Sequence, residues 1–285
     1  MRKRSEAMAE PSFLGVVIVS YNHGRTLAQT VDSVLAQTRP ASQVIIVDNG
    51  SADTSWAKRW SDRPDVTVIL ENQNLGFTGG NNLGWQRLAL KDGFVLFLNP
   101  DVLLPPDLLS RLLILMDEPR ARSFGAVGVR LLGYNFEENR PTGRIDSTGV
   151  FPRWQGAWRD RRDGSPPAGD ELETVPALCG AFLFCRVAAL RAIQFPDETV
   201  FDNRYFTYKE DIELSLRLRG GGWNLGVWHG AEAWHGRGWN QDRAKMPRAS
   251  RLLSARNEVR LHARYAPWRL PYSLAKWAYV RWWER

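Results

Sequence analysis

The chain has 285 residues, of which 44% are hydrophobic and 24% are charged, a composition typical of a folded globular protein that argues against a disordered chain. The formal net charge of +7 belongs to the C-terminal region, because residues 237–285 contain 12 Lys/Arg and 3 Asp/Glu, a local charge of +9. The two cysteines are too few for a secreted disulfide scaffold, so we expect a reducing, cytoplasmic environment.

The start of the chain predicts a β-α-β unit. The apolar run "LGVVIVS" is interpreted as the first strand, since Glu6, Glu10 and Pro11 interrupt the segment before it and do not fit a signal peptide. A helix is predicted in "RTLAQTVDSVLAQT", and "QVIIVDNGS" predicts a second strand with a turn. No window approaches the roughly 18 apolar residues that a membrane span requires.

The alternation of strands and helices continues to about residue 117. The next segments are a helical "TSWAKRWSD", the strand "VTVIL", the glycine-rich "NLGFTGGNNLG" just before a helix, the strand "FVLFLNPD" and the helix "DLLSRLLILM". Repeated alternation of this kind predicts an α/β fold with a mostly parallel sheet that is flanked by helices on both faces.

The second half is less regular. Residues 134–170 are rich in Gly, Pro, Arg and Trp, and within them "RDRRDGSPPAGD" predicts a surface loop. The segment "ETVPALCGAFLFCRVAALRAI" predicts a strand and a short helix. If Cys179 and Cys185 share that strand, their α-carbons lie about 20 Å apart and cannot pair. A helix is predicted in "YFTYKEDIELSLRLRGGGW" and two short extended pieces in "WNLGVWHGAEAWHG". Basic helices joined near Pro267 occupy the rest.

The first two strands end in residues that suit a nucleoside. Tyr21 and Asn22 follow one strand, and Asp48 and Asn49 end the other, so parallel pairing would bring them to one edge of the sheet. Asp48 could accept a hydrogen bond from a pyrimidine N–H, and Tyr21 could stack on the base. The alternative is ordinary turn and capping chemistry.

Asp101 likewise has a structural and a functional interpretation. It follows the buried strand of "LFLNPDVLLPPDLL", where Asn-Pro-Asp is either a turn or a site for a hard cation, which prefers carboxylate oxygens. The glycine-rich stretch before this strand could let a phosphate approach the backbone. It contains neither a dinucleotide-binding G-x-G-x-x-G nor a phosphate-loop motif.

Two further candidate sites lie toward the C-terminus. Glu210 and Asp211 begin a predicted helix, where one carboxylate could accept a proton from a hydroxyl nucleophile or could merely stabilise the helix dipole. His235 follows an extended segment and could be an additional metal ligand, although most isolated histidines are not ligands. No Cys/His spacing fits a zinc site.

Taken in order, these motifs resemble the family 2 glycosyltransferases with the GT-A fold. The resemblance covers about 230 residues, from Leu14 to near Gly238. "NLGFTGGNN" and Asn-Pro-Asp look most like the rhamnosyltransferase branch, and galactofuranosyltransferases are also similar. The matching segments are "VVIVSYNHGRTLAQTVDSVLAQTRPASQVIIVDNGSADTS", "NLGFTGGNNLG", "LFLNPDVLLPPDLL", "CGAFLFCRVAAL" and "YFTYKEDIELSLRLRGGGW".

The resemblance implies a Rossmann-like GT-A catalytic domain over residues 1–238, with a nucleotide-sugar half at 12–117 and an acceptor half at 118–238, and a helical extension over 239–285. It implies an inverting transfer to a glycan or polyprenyl-linked acceptor in cell-surface polysaccharide synthesis. The sugar would be L-rhamnose from dTDP-rhamnose, or alternatively galactofuranose or another hexose. The cofactor would be a divalent metal, Mg²⁺ or Mn²⁺.

Carried over position by position, the roles of the family fall on residues already singled out. Asp211 would be the catalytic base with Glu210 in support, and Asp101 and His235 would bind the metal. Asn99 occupies the first position of the family's Asp-x-Asp pair. The donor-binding residues would be Tyr21, Asn22, Asp48, Asn49, Gly79, Gly80, Asn82 and Asn99.

The basic C-terminal extension combines arginine with tryptophan. Arg256, Arg260 and Arg264 fall on one helical stripe. This composition favours peripheral attachment to the inner face of a membrane, and packing of the aromatic residues on the catalytic domain is the alternative. A nucleic-acid-binding module would use the same tail, but Asn-Pro-Asp and Glu-Asp favour the transferase and no nucleic acid is expected. The tryptophans are Trp239, Trp268, Trp277, Trp282 and Trp283.

Overall fold

The computed structural model describes residues 13–154, 156–162, 169–237 and 246–283. The strands within these ranges are β1 (Leu14–Ser20), β2 (Gln43–Asp48), β3 (Val66–Leu70), β4 (Phe94–Leu98), β5 (Val102–Leu103), β6 (Phe124–Asn135), β7 (Arg140–Ser147), β8 (Val150–Pro152), β9 (Trp158–Asp160), β10 (Leu172–Thr174), β11 (Phe182–Arg186) and β12 (Asn224–His235). The helices are α1 (Gly24–Leu35), α2 (Gly76–Arg87), α3 (Leu108–Asp117), α4 (Val187–Ile193), α5 (Glu210–Gly220), α6 (Arg248–Tyr265) and α7 (Leu270–Trp282).

A mixed sheet forms the centre of the fold. Its strand order is β10-β12-β6-β11-β4-β1-β2-β3, and β5 and β7 pair with β12 and β6. The strands β4, β1, β2 and β3 are parallel neighbours, as the predicted β-α-β series requires. In the second half β11 runs antiparallel to β4 and β6, while β6 and β12 are parallel. The predicted α/β architecture is confirmed.

Helices cover both faces of this sheet. One apolar cluster joins the inward faces of α1 and α3 to the sheet, and the other joins α2, α4 and α5 to its opposite face. The strands β1 and β4 are therefore buried on both sides, which explains why they are continuous apolar runs without alternation.

The glycine-rich stretch differs from its prediction, because it forms the helix α2 itself and does not precede one. Its glycines allow the helix to lie very close to β1. A Cβ atom on Gly80 would lie 2.6 Å from Val19 Cγ1, and one on Gly84 would lie 2.3 Å from Val17 Cγ1. Close helix-to-strand packing thus outweighs the low helix propensity of glycine.

The second half corrects two further predictions. The segment predicted as two extended pieces is one strand, β12, in which an irregularity between Trp228 and Glu232 lets the pairing with β6 continue. The segment predicted as a surface loop, residues 159–170, begins within β9, which pairs with β8. The less regular region before it contains β7, which pairs with β6. Strand β7 was not recognised because most of it is exposed and lacks apolar alternation. Cys179 and Cys185 are both free, as expected.

The C-terminal helices α6 and α7 are joined by a short 3₁₀ turn, Pro267–Arg269, close to the predicted position. The predicted domain boundary at 238/239 lies outside the described residues, as does Trp239. In the part of the chain that the structure describes, no helix is both long enough and apolar enough to cross a membrane.

Candidate active site

A cleft of about 1110 Å³ opens where β1, β2 and β4 end and where α5 begins. Ligand pockets for one small molecule are typically about 300–1,000 Å³, so this cleft is slightly larger than that range. Seven of the residues predicted from the sequence line it: Tyr21, Asn49, Asn99, Asp101, Glu210, Asp211 and His235.

Asp101 and His235 are brought together by the pairing of β5 with β12, in which His235 lies opposite Val102. The Nε2 atom of His235 lies 3.4 Å from Oδ1 of Asp101, and the amide of Gly236 donates to the Asp101 carbonyl at 2.8 Å. Both side chains are buried, so their separation is set by the sheet and not by flexible surface rotamers.

The second nitrogen of His235 contacts another carboxylate. Its Nδ1 lies 2.7 Å from Oδ2 of Asp146, whose Oδ1 accepts from Arg237 Nε at 3.0 Å. Burial by itself would lower the pKa of His235, but Asp101 and Asp146 outweigh it and raise the pKa to about 9. Without a bound cation the imidazole is therefore protonated at neutral pH, and Asp146 fixes the orientation of its ring.

The donor set of this pair fits a divalent cation that is shared with a phosphate ligand. Asp101 offers a carboxylate and His235 an imidazole, and ions such as Mg²⁺ are often held by one or two carboxylates together with substrate phosphates and water. Among the described residues, no group of three or more His, Cys, Asp or Glu side chains is placed to hold a metal ion by itself. A bound diphosphate would supply further oxygen ligands to such an ion.

Asp211 lies in the first turn of α5, where two backbone amides fix its carboxylate. Oδ2 accepts from Gly180 N at 3.0 Å, and Oδ1 accepts from Ile212 N at 2.8 Å. Burial raises the pKa of Asp211, and these two hydrogen bonds partly oppose the shift. A fixed carboxylate of raised pKa that faces the cleft has the properties of a general base.

Glu210 lies next to Asp211 and is more buried. Burial, followed by repulsion from Asp211, raises the pKa of Glu210 to about 8. Its Oε2 atom has no hydrogen-bond partner among the described residues. The two adjacent carboxylates therefore do not readily carry two negative charges at once, and Asp211 is the one whose oxygens are fixed by backbone amides.

The four residues at the ends of β1 and β2 divide into two groups. Tyr21 is 46% exposed, and Tyr21 and Asn49 both line the cleft. Asp48 accepts from Ser51 N at 2.8 Å, and Asn22 Oδ1 accepts from Ala52 N at 2.9 Å. Asp48 and Asn22 therefore stabilise the turns, the alternative that the sequence had left open, and neither lines the cleft; their contact with a donor stays a prediction.

Gly79, Gly80 and Asn82 lie within α2 and do not line the cleft. Gly80 packs behind Asn49, since a Cβ atom there would lie 3.1 Å from Asn49 Nδ2. The Asn82 amide accepts from Phe201 N at 2.8 Å and donates to the Phe201 carbonyl at 2.8 Å, so it holds the segment before α5. Gly80 and Asn82 thus support residues around the cleft, and the contact of Gly79, Gly80 and Asn82 with a donor stays a prediction.

Sequence reasoning missed several residues of the cleft. Residues 206–209 form the wall that leads into α5. Within the predicted glycine-rich stretch, it is Asn74 and Gly76 that line the cleft and not the later glycines. Asp146 contacts His235 and is itself held by Arg237. Neither residue belongs to a sequence motif that would have identified it. The basic residues of the cleft suit anionic substrates, and these are Arg153, Arg159, Arg162, Lys209, Arg237, Arg251 and Lys276.

Some side chains of the C-terminal helices α6 and α7 line the cleft, and others are exposed on the surface. Arg251 and Lys276 line the cleft. Of the predicted arginine stripe, Arg264 Nη1 lies 3.1 Å from Glu213 Oε1 of α5, and Arg260 donates to the Arg204 carbonyl. The tryptophans on the outer side remain exposed: Trp268 by 75%, Trp282 by 63% and Trp283 by 69%.

Comparisons with known sequences agree on one family. Residues 15–193 match the family model described as Glycosyl transferase family 2. The chain is similar to the N-acetylglucosaminyl-diphospho-decaprenol L-rhamnosyltransferase of Mycobacterium tuberculosis, at 30% identity over 74% of this chain and 71% of that protein. It is also similar to the galactofuranosyltransferase GlfT1 of Mycolicibacterium smegmatis, at 27% identity over 74% of this chain and 67% of that protein.

A solved structure shares the fold. The crystal structure of GalNAc-T7 with UDP, GalNAc and Mn²⁺ superposes with a TM-score of 0.69 at 16% sequence identity. The match covers 90% of this chain and 48% of that one, so this chain corresponds to about half of the larger protein. The GT-A fold that the motifs imply is confirmed.

Proposed function

Since this chain belongs to glycosyl transferase family 2 and is a glycosyltransferase that uses a nucleotide-sugar donor, we propose that it transfers L-rhamnose from dTDP-rhamnose. The observation that carries the proposal is the 30% identity to the mycobacterial rhamnosyltransferase across 74% of the chain. By the same relationship, the proposed acceptor is an N-acetylglucosamine linked to a polyprenyl diphosphate, in cell-surface polysaccharide synthesis.

The proposed reaction is a single displacement at the anomeric carbon. Asp211 accepts the proton of the acceptor hydroxyl as its oxygen attacks, and the two amides on Asp211 hold the carboxylate in place. The new bond forms on the face opposite the leaving diphosphate, which inverts the anomeric configuration. Burial and the neighbouring Asp211 raise the pKa of Glu210, which disfavours a second negative charge beside the proposed base.

At the donor end, Asp101 and His235 are the proposed metal ligands, and Asn99 lies beside them in the cleft. A divalent cation bound there would supply charge neutralisation for the departing diphosphate. Tyr21 and Asn49 would contact the nucleoside, while Asp48 and Asn22 shape the turns that present them.

The test is transfer to a synthetic N-acetylglucosaminyl-diphospho-polyprenol in the presence of Mn²⁺. Purified full-length protein is incubated separately with dTDP-rhamnose, UDP-galactofuranose and UDP-N-acetylglucosamine, and products are identified by mass spectrometry. We expect the acceptor to gain the mass of one rhamnose with the first donor alone. Transfer from UDP-galactofuranose instead would overturn rhamnose as the donor sugar. It would support galactofuranose, the second candidate, which the similarity to GlfT1 suggests.

We also propose that the exposed side of α7 attaches the enzyme to an anionic membrane surface. Trp282 and Trp283 are 63% and 69% exposed, and the Arg281 guanidinium lies 5.7 Å from the Trp282 ring centroid. Indole rings favour the membrane–water interface, and arginine binds anionic headgroups. Such attachment would place the cleft next to a lipid-linked acceptor.

Vesicle co-sedimentation tests this attachment. Replacing both Trp282 and Trp283 by serine should reduce binding to phosphatidylglycerol vesicles several-fold. Trp154→Ser is the matched control, because Trp154 is 86% exposed but lies outside the C-terminal helices. Equal binding by the parent protein and the double variant would rule out the proposed surface.

A further inference from the structure

The residues before α5 adopt a backbone conformation that needs external support. Phe206, Tyr208 and Lys209 have φ values of 58°, 70° and 73°, in the left-handed region that disfavours residues other than glycine. Phe206 has a ψ of −65°, and the amide of Thr207 donates to the Tyr205 carbonyl at 2.6 Å. This is a γ-turn of the rare and strained form, which persists only when its surroundings enforce it.

A single side chain of α6 bonds to three backbone carbonyls of this region. Asn257 is fully buried, and its Nδ2 donates to the carbonyl oxygens of Tyr205 at 2.6 Å, Thr207 at 2.8 Å and Tyr208 at 2.9 Å. An amide has two N–H groups, so three acceptors require at least one hydrogen to be shared. Asn257 therefore gathers three carbonyls that could not otherwise converge in a buried position.

The 206–209 segment leads directly into the acidic pair, and all four of its residues line the cleft. From the opposite side, Thr78 N at the start of α2 donates to the Phe206 carbonyl at 3.1 Å. The segment is thus held between the donor half and α6. A shift here would move Glu210 and Asp211, which follow without any intervening residue.

The same helix also holds α5. Tyr265 donates to Glu213 Oε1 at 2.8 Å, and Arg264 Nη1 lies 3.1 Å from the same atom. Glu213 is fully buried one turn after the acidic pair. Contacts from α6 therefore reach both the segment before the acidic pair and the helix that carries it.

We propose that Asn257 is a positioning residue for sugar transfer, which orients the carboxylate of Asp211 by fixing the 206–209 segment. This inference rests on the proposed function for its catalytic consequence. It also makes α6 an integral part of the catalytic unit, although its sequence was expected to form a separate basic extension.

The test uses Asn257→Asp, which keeps the size of the side chain but places an oxygen against the three carbonyls. We expect kcat to fall at least about 10-fold, because small displacements of a catalytic group are costly, while the Kd for the nucleotide donor stays within about twofold. Hydrogen exchange of the amides in residues 205–213, measured by mass spectrometry, should become faster. Asn257→Ser, which keeps one donor, should give intermediate values and serves if the aspartate variant does not fold.

Asn224→Asp is the matched control, since Asn224 is exposed and its amide donates only to Ser123 Oγ at 3.0 Å in the described contacts. It should leave kcat, donor affinity and the exchange of residues 205–213 unchanged. Parent-like kcat or parent-like exchange in Asn257→Asp would overturn the proposal, as would a parallel loss of donor affinity. If the parent protein transfers no sugar, the proposed function fails, and the exchange measurement still decides whether Asn257 holds the segment.

Discussion

His235 Nε2 lies 3.4 Å from Asp101 Oδ1, although one residue ends β12 and the other follows β4. Asp146 contacts the other nitrogen of the same ring, so the imidazole lies between two carboxylates. This arrangement favours a proton on His235 when no cation is present. A cation that used Nε2 as a ligand would have to displace that proton.

Metal affinity should therefore depend on pH. Because Asp101 and Asp146 raise the pKa of His235 to about 9, the ring is protonated below this pH and competes with the metal. In the presence of donor, the Kd for Mn²⁺ should decrease by up to about tenfold per pH unit from pH 6 to pH 8. Isothermal titration calorimetry measures this slope. His235→Gln should bind Mn²⁺ more weakly and without the slope, and a pH-independent Kd in the parent protein would exclude His235 as a ligand.

Asp211→Asn should abolish transfer but not donor binding. Loss of a general base costs typically about 10²- to 10⁴-fold in rate, and the amide keeps the shape of the carboxylate. Since burial raises the pKa of Asp211, the acidic limb of the parent kcat/KM profile should lie above that of an ordinary aspartate. Asp32→Asn, which removes an exposed ion pair with Arg59, is the control and should retain parent activity. Near-parent turnover in Asp211→Asn would remove it from the base role.

Glu210→Gln should change how stability depends on pH. Burial raises the pKa of Glu210 to about 8 in the folded protein, so the folded state holds a proton that the unfolded state releases near its ordinary pKa. Between these two pKa values the free energy of unfolding of the parent protein should fall as pH rises, by up to about 1.4 kcal/mol per unit. The glutamine variant lacks this contribution, so its advantage over the parent should grow from pH 5 to pH 8 in urea unfolding experiments. Parallel stability curves for the two proteins would contradict the raised pKa.

Gly80→Ala should weaken the packing of α2 on β1. The added methyl would lie 2.6 Å from Val19 Cγ1, and we expect a loss of about 1–3 kcal/mol in the free energy of unfolding. Gly220→Ala is the matched control, because a Cβ atom there meets nothing within 4 Å. It should be neutral or stabilising by up to about 1 kcal/mol. Thermal unfolding of both variants checks the pair, and similar melting temperatures would argue against the packing role of Gly80.

The local patterns of the first half were sufficient to predict its fold. Strands β1, β2 and β4 are buried on both faces, so they are apolar without interruption, and α1 has one clearly apolar face. In the second half, β7 is mostly exposed and β12 contains an irregularity, and neither produces a recognisable period. Helix α2 is the exception in the first half. Its glycines have low helix propensity and were expected to precede a helix, and their close packing against Val17 and Val19 is visible only in the tertiary structure.

The sequence by itself determined which polar residues end strands or begin helices, because strand ends and helix starts are marked locally by turn and capping residues. The resemblance of the ordered motifs to family 2 glycosyltransferases then made Asp101, Asp211 and His235 candidates for one site. Only the tertiary structure decided that the second ring nitrogen of His235 contacts Asp146 and that Asp48 accepts a hydrogen bond within its own turn. It also decided that Asn257 of α6 bonds to the segment before Asp211. Such contacts join residues far apart in the chain, and a long-range hydrogen bond leaves no periodic signal in the sequence around either partner.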